Sequence, residues 1–297
     1  MRVFITGASG WIGSAVTRDL VKNGHQVLGL ARSDASAKIV TDAGGEVLRG
    51  SIEDLDDLNK GAAACDGVVH TAFNHDFTKM AESAAADIAA IEAMGSALEG
   101  SGRPMIVASG MGITPGSYGT EEDDLFGAMA ALNPRKTEQV GLSLATRGIR
   151  AMVVRHAPST HGDGDTGLAT LIVRTAREKG FAYYVGDGKN HWPAAHRFDA
   201  ARIYRLALEK GKTGQRFHAV AEEGIAIRDI AELVGRKLKV PVVSKTLEES
   251  AAILGFVGRV YAMDLRASNQ LTQERLGWDP TERGLLEDLE KGRYFDA

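Results

Sequence analysis

Near its amino terminus the chain reads Thr6-Gly7-Ala8-Ser9-Gly10-Trp11-Ile12-Gly13. Three glycines at three-residue spacing, set between a β-branched run and a helical pattern, suit the binding of a pyrophosphate. Gly7 permits a tight turn, Gly10 lets backbone approach an anion, and Gly13 lets helix pack closely on strand. Amide N–H groups around Ser9, Trp11 and Ile12 would then face the phosphates at a helix N-terminus. A second set of residues could move protons. The chain has eight His, and an imidazole with an ordinary pKa donates at neutral pH. His75, in Ala72-Phe73-Asn74-His75, and His161, in Ser159-Thr160-His161-Gly162, follow strand candidates and lead that set; His156 and His196 are further members. No acid–His spacing resembles a zinc site, so no metal is expected.

The elements that must hold these residues alternate in period. Strand candidates are Arg2–Thr6, Gln26–Arg32, Glu46–Gly50, Gly67–Ala72, Pro104–Ser109 and Arg150–His156. Consecutive apolar positions mark them as parallel strands covered on both faces. Between them Trp11–Asn23, Asp54–Ala64, Thr78–Glu99 and Pro134–Arg147 read as helices, the first stopped by Gly24. Repeated strand–helix–strand units imply an α/β fold, a Rossmann-like doubly wound parallel sheet. After His156 the regularity breaks. Ala157–Thr166 reads as a loop, followed by helices over Gly167–Lys179, Asp199–Lys210, Ile227–Leu238 and Leu285–Lys291, with strands at Ala182–Val185 and Phe217–Val220. The expected organisation is a dinucleotide-binding part over residues 1–156. A smaller α/β C-terminal substrate lobe over 157–297 is interleaved with it.

Composition narrows the function classes. The chain has 297 residues with 35 basic and 39 acidic side chains, a net charge of −4. No basic excess points to nucleic acid. The single Cys65 can form neither an internal disulfide nor a cysteine-based zinc cluster, and reads as buried packing. Residues 1–10 lack a signal-peptide core, and no run approaches the ~20 apolar residues of a membrane span. A cytoplasmic protein that binds neither nucleic acid nor membrane is the expectation. The 35 glycines imply many tight turns and close backbone approaches.

The Thr-Gly-x-x-Gly-x-x-Gly spacing resembles the short-chain dehydrogenase/reductase superfamily, specifically its extended, epimerase/dehydratase-like members. Val68–Ala72 (VVHTA) is similar to the family's fourth-strand segment, and the resemblance puts Thr71, Ala72 and Phe73 beside the cofactor. Met105–Gly110 (MIVASG) looks like the fifth strand, which carries a catalytic Ser or Thr at its end, here Ser109. Ala194–Glu209 and Leu276–Pro280 (LGWDP) resemble the segment after the substrate loop and the terminal signature.

The resemblance also implies which nicotinamide cofactor is bound. The family's position for an acid that grips an unphosphorylated ribose is Ala31, followed by Arg32-Ser33. A 2′-phosphate needs a fork of donors without an adjacent carboxylate, which Arg32 and the Ser33 hydroxyl supply. NADP is therefore expected; Asp34 keeps NAD as the less favoured alternative, or caps the next helix.

The family normally uses Tyr-x-x-x-Lys on the helix before the sixth strand, where the pair shares one helix face. Here the segment reads Ala130-Ala131-Leu132-Asn133-Pro134-Arg135-Lys136-Thr137-Glu138, with no Tyr. It resembles an atypical subgroup with a His-x-x-x-Arg pair, of which Arg135 matches the Arg while Ala131 stands at the His position. Arg135 or Lys136 would hold the nicotinamide ribose and polarise a carbonyl, Ser109 would orient the substrate oxygen, and His161, His75 or bound water would supply the proton. The resulting expectation is an NADP-dependent oxidoreductase acting on a small-molecule carbonyl or alcohol. The alternatives are a nucleotide-sugar epimerase or dehydratase, with Arg174, Arg177 and Arg197 as candidate diphosphate ligands, and a non-catalytic redox sensor. Trp192 is a candidate wall of the substrate pocket. The two long helices suit a homodimer, as relatives often form.

Overall fold

In the computed structural model the described residues are 1–74, 79–111, 116–123 and 136–296. His75 and Arg135 lie outside them. The first half alternates as read, with one helix, α2, added to the reading: β1 (Arg2–Thr6), α1 (Trp11–Lys22), β2 (Gln26–Ala31), α2 (Asp34–Asp42), β3 (Glu46–Arg49), α3 (Leu55–Ala63), β4 (Gly67–His70), α4 (Met80–Leu98) and β5 (Pro104–Gly110). A short β6 (Tyr118–Gly119), α5 (Thr137–Ser143) and β7 (Arg150–His156) follow. The seven-stranded sheet adds one later strand and runs in the order β3-β2-β1-β4-β5-β7, then Arg216–Ala219, with every pairing parallel. Sequential strands turn away on both sides of β1 and β4, which opens a crevice at their carboxyl ends.

Side chains on successive strand positions point to opposite faces, and the buried clusters obey this. Val3, Ile5, Ile106 and Val154 join one face with α1 and α2. Phe4, Met105, Val107 and Val153 join the other with α3, α4 and the 3₁₀ turn after α5. Phe4 and Ile5 are fully buried, each contributing roughly 1.5–3 kcal/mol of apolar burial.

Beyond β5 the structure departs from the reading in several places, and it adds short strands and helices that were not read. Ala157–Thr166 is not all loop: β8 (Ser159–His161) lies inside it and pairs in parallel with a later strand. The expected helix over Pro134–Arg147 is described from Thr137 and gives way after Ser143 to a 3₁₀ turn, Leu144–Arg147, ended by Gly148 at φ +69°. Trp192 belongs to a strand rather than a loop. The order runs α6 (Leu168–Lys179), β9 (Ala182–Val185), β10 (His191–His196), α7 (Arg197–Lys210), β11 (Arg216–Ala219), β12 (Glu222–Ala226), α8 (Ile227–Leu238) and β13 (Val242–Lys245). It closes with α9 (Leu247–Leu254), α10 (Phe256–Tyr261), β14 (Arg266–Ala267), α11 (Gln270–Leu276) and α12 (Leu285–Lys291). β8, β10 and β12 form a separate three-stranded sheet. A third apolar core gathers α6, α8 and α12 around Tyr183, Trp192 and Tyr261. The chain then returns: α7 packs on α1 and β11 completes the large sheet. The LGWDP segment secures this return, because Trp278 donates its indole N–H to the Asp199 carbonyl at 2.9 Å. Among the described residues no helix is long and apolar enough to cross a membrane.

Candidate functional site: a dinucleotide cradle and the charges around it

Gly7 follows β1 at φ +71°, a conformation that L side chains rarely adopt. A Cβ on Gly13 would lie 2.1 Å from the Gly7 carbonyl oxygen, so the turn closes on the first helical turn only without a side chain there. Gly10 donates to the Gly7 carbonyl at 2.8 Å and caps α1 with no side-chain bond. No acidic residue stands in the first turn. The helix therefore presents its first amides with no side chain of its own to satisfy them, the arrangement that holds a pyrophosphate. Thr71 closes the floor: both its backbone N–H and its Oγ1 donate to the Thr6 carbonyl, at 3.1 and 2.8 Å. Ala72 and Phe73 continue along this edge, half-buried.

At the end of β2, Arg32 is exposed and makes no hydrogen bond or ion pair among the described residues. Ser33 caps α2, its Oγ accepting from the Ser36 N–H at 3.2 Å. Asp34 begins α2, and its carboxylate is engaged by Arg49. Arg32 is thus a free guanidinium beside a helix N-terminus on the same sheet edge as the glycine loop.

Ser109 ends β5 on that edge. It is buried, and its hydroxyl donates to the Gly110 carbonyl at 3.3 Å. His161 is enclosed completely. Its Nδ1 lies 2.9 Å from Asp288 Oδ2, so Nδ1 is the donor to that carboxylate. Nε2 is buried without a hydrogen-bond partner among the described residues. The His196 ring meets it edge-on at 5.4 Å, and Tyr294 also donates to Asp288, at 3.0 Å. Burial works against the Asp288 charge, yet these two donors hold its carboxyl below the usual range. Burial, followed by the His161 charge, lowers the His196 imidazole.

Trp192 forms no wall of an open cleft. It is 1% exposed and packs edge-on against Tyr261 at 5.3 Å in the lobe core. Arg174 and Arg177 line a surface hollow with Arg293, but Asp163, Asp165 and Asp296 line it too, so its charge is balanced. Cys65 is buried packing, its thiol pushed up to about 11 chiefly by burial.

Two constellations were not singled out in the sequence. His70, inside VVHTA, joins a buried chain. Thr6 Oγ1 is 2.6 Å from His70 Nδ1, His70 Nε2 is 3.0 Å from Asp87 Oδ1, and Thr137 Oγ1 donates to Asp87 Oδ2. A His followed by the short Thr71-Ala72 was the available signal; its partners lie far off in sequence, on β1 and α4. The second ties the lobe to the cradle. The Trp11 indole donates to the Thr160 carbonyl at 2.8 Å, and the Arg197 guanidinium lies 3.9 Å over the Trp11 ring. Glu138, which ends the segment that lacks the Tyr, accepts a two-pronged bond from buried Arg155, at 2.8 and 2.6 Å.

Known proteins agree with this architecture. The model of the NAD(P)H-binding family matches residues 7–181. Over 297 residues, 99% of this chain and 100% of the relative, the chain is 43% identical to an uncharacterized protein of Schizosaccharomyces pombe. It is 27% identical over 242 residues to the decarboxylating sterol-4-alpha-carboxylate 3-dehydrogenase of Dictyostelium discoideum, covering 76% of this chain and 73% of that one. Among solved structures, the dTDP-glucose 4,6-dehydratase of Streptomyces venezuelae, with NAD and TYD bound, superposes with a TM-score of 0.76 at 19% identity. It covers 98% of this chain and 96% of its own. With the cradle, the strand order and the match over residues 7–181 in agreement, the chain belongs to the NAD(P)H-binding family and carries the extended short-chain dehydrogenase/reductase fold.

Proposed function

We propose that the protein is an NADP(H)-dependent oxidoreductase that interconverts a small carbonyl compound and its alcohol, in the cytoplasm. The observation that carries the cofactor choice is the free Arg32 guanidinium beside the Ser33-capped start of α2, with the Asp34 carboxylate already held by Arg49. A phosphate on the adenosine ribose meets two donors there and no free acid. When bound, the nicotinamide dinucleotide supplies or accepts hydride. The glycine loop holds its phosphates, and Thr71, Ala72 and Phe73 border it. Ser109 is the donor for the substrate oxygen, and Arg135, with Lys136 beside it, supplies positive potential where charge develops. The proton comes from His75, from water, or from His161, which Asp288 orients through Nδ1.

The balanced charge of the hollow at Arg174 and Arg177 favours this reading over a nucleotide-sugar substrate, which needs an excess of cations for its diphosphate. The test is direct. Purified protein is titrated with NADPH and NADH, then assayed for NADPH oxidation against a panel of aldehydes and ketones. Preferential NADPH binding with turnover is expected. Tight binding with no turnover across the panel and across pH would favour the sensor alternative, and no binding of either nucleotide would end the proposal.

A further inference from the structure

Among the described residues, arginines with little exposure are mostly neutralised by an acid. Arg155 and Arg216 share Glu138, Arg205 holds Asp19, and Arg202 holds Asp199. Arg103 and Arg150 instead bond carbonyl oxygens. Arg197 has neither kind of partner. Its Nη2 donates to the neutral Ser14 hydroxyl at 3.0 Å. Its Nε is enclosed and has no acceptor among the described residues. The stack on Trp11 compensates the lost hydration in part. Removing a guanidinium from water without a counter-ion remains unfavourable. Arg18 adds further positive charge, and the acid that acts on Arg197, Asp165, forms no ion pair with it. Asp165 accepts the Gly167 N–H at 2.6 Å, and burial pushes its carboxyl up. Burial and Arg18 together lower the Arg197 guanidinium to about 10.

The position of this unpaired cation identifies its partner. Arg197 is the first residue of α7 and Trp11 the first residue of α1. The side-chain stack therefore joins the starts of two packed helices, and one of them is the uncapped start that follows the glycine loop. We infer that Arg197 is a ligand for the pyrophosphate of the bound dinucleotide, reaching the glycine loop from the carboxyl-terminal half of the chain. This inference rests on the NADP(H) reading above. It assigns to the cofactor a residue beyond the segment 7–181 that matches the family. It also explains why the lobe is fastened at Trp11, since the same indole donates to Thr160 while carrying Arg197 on its face.

The experiment compares wild type with Arg197→Met, which keeps the apolar stem over Trp11 and removes the charge, and with Arg197→Lys. Affinities for NADPH, NADH, ADP-ribose and 2′-AMP are measured by titration calorimetry, with thermal midpoints as a check on folding. Loss of a charged phosphate contact is expected to weaken NADPH, NADH and ADP-ribose alike, by about 10- to 100-fold. Binding of 2′-AMP, which has no pyrophosphate, should be unchanged, and Arg197→Lys should recover part of the loss. Unchanged NADPH affinity in Arg197→Met overturns the assignment, as does an equal loss for 2′-AMP. A raised KM for the carbonyl substrate with unchanged cofactor affinity also overturns it, because the anion would then belong to the substrate. If the wild type binds none of these nucleotides, it is the NADP(H) reading that has failed.

Discussion

His70 Nε2 lies 3.0 Å from Asp87 Oδ1, and both side chains are buried. Asp87 also accepts from Thr137, so His70 donates through Nε2. In the neutral ring Nδ1 is then the acceptor for the Thr6 hydroxyl. A directed set of bonds thus runs from the residue before the glycine loop to the first residue of α5. Thr137→Val should cost about 1–3 kcal/mol, as a buried carboxylate oxygen loses a donor. Because Thr6 and Thr137 act through the same pair, Thr6→Val combined with Thr137→Val should depart from additivity by more than ~0.5 kcal/mol in urea unfolding. Strict additivity would show that the two ends do not communicate.

The glycine loop separates folding from binding. A Cβ on Gly13 meets the Gly7 carbonyl oxygen at 2.1 Å, whereas one on Gly10 stands 3.1 Å from the same atom. Gly13→Ala should therefore lose about 3 kcal/mol of stability through overpacking and lose nucleotide binding with it. Gly10→Ala should fold with a smaller loss and still bind NADPH weakly, since its methyl stands where backbone approaches phosphate. Thermal unfolding and NADPH titration on both variants distinguish the two roles; equal thermal midpoints would contradict them.

Arg32 should discriminate between cofactors. Arg32→Ala is expected to weaken NADPH by about one to two decades, the worth of roughly 1.5–3 kcal/mol for a charged hydrogen bond. NADH affinity should stay near wild type, since Arg32 makes no ion pair or hydrogen bond among the described residues that the fold would lose. Equal losses for both nucleotides would mean that Arg32 does not meet the 2′-phosphate.

Acid should destabilise the fold before its carboxylates titrate. Burial lowers the His218 and His196 imidazoles below their ordinary 6.5. His218 faces the Ser268 carbonyl through Nδ1 at 2.7 Å and Arg155 Nη1 through Nε2 at 3.3 Å, so protonation sets two cations together. A folded-state value depressed below the unfolded one contributes stability that is complete above about pH 6.5 and is lost as pH falls through the folded value. Thermal midpoints should accordingly decline from about pH 6.5 downward. His218→Gln, less stable at neutral pH, should decline less steeply over the same interval. A wild-type midpoint that holds steady to pH 5 would refute this assignment of the two histidines.

The succession of strand, glycine triplet and helix was legible in the chain because each part is local. Runs of consecutive apolar residues specify strands buried on both faces, and only glycine tolerates the turn at Gly7 and the contact at Gly13. Six strands and most helices were readable to within a residue or two for the same reason. β8 was hidden because three residues with no apolar pattern become a strand only when β10 lies beside them. The chemistry around the cradle depends on pairs far apart in sequence. His161 meets Asp288 across 127 positions, and Trp11 meets Thr160 across 149. Spacing carries no information about such pairs. Trp192 reads equally well as a pocket wall or as packing until Tyr261 is found against it. Arg197 reads as one of three candidate diphosphate ligands, no different from Arg174 and Arg177, until the folded chain shows it half-buried on Trp11 without an acid. Local sterics and periodicity therefore determined the fold and the phosphate loop. Which charges are paired, and which, like Arg32 and Arg197, are left without an acid among the described residues, was decided only when tertiary packing brought the two halves of the chain together.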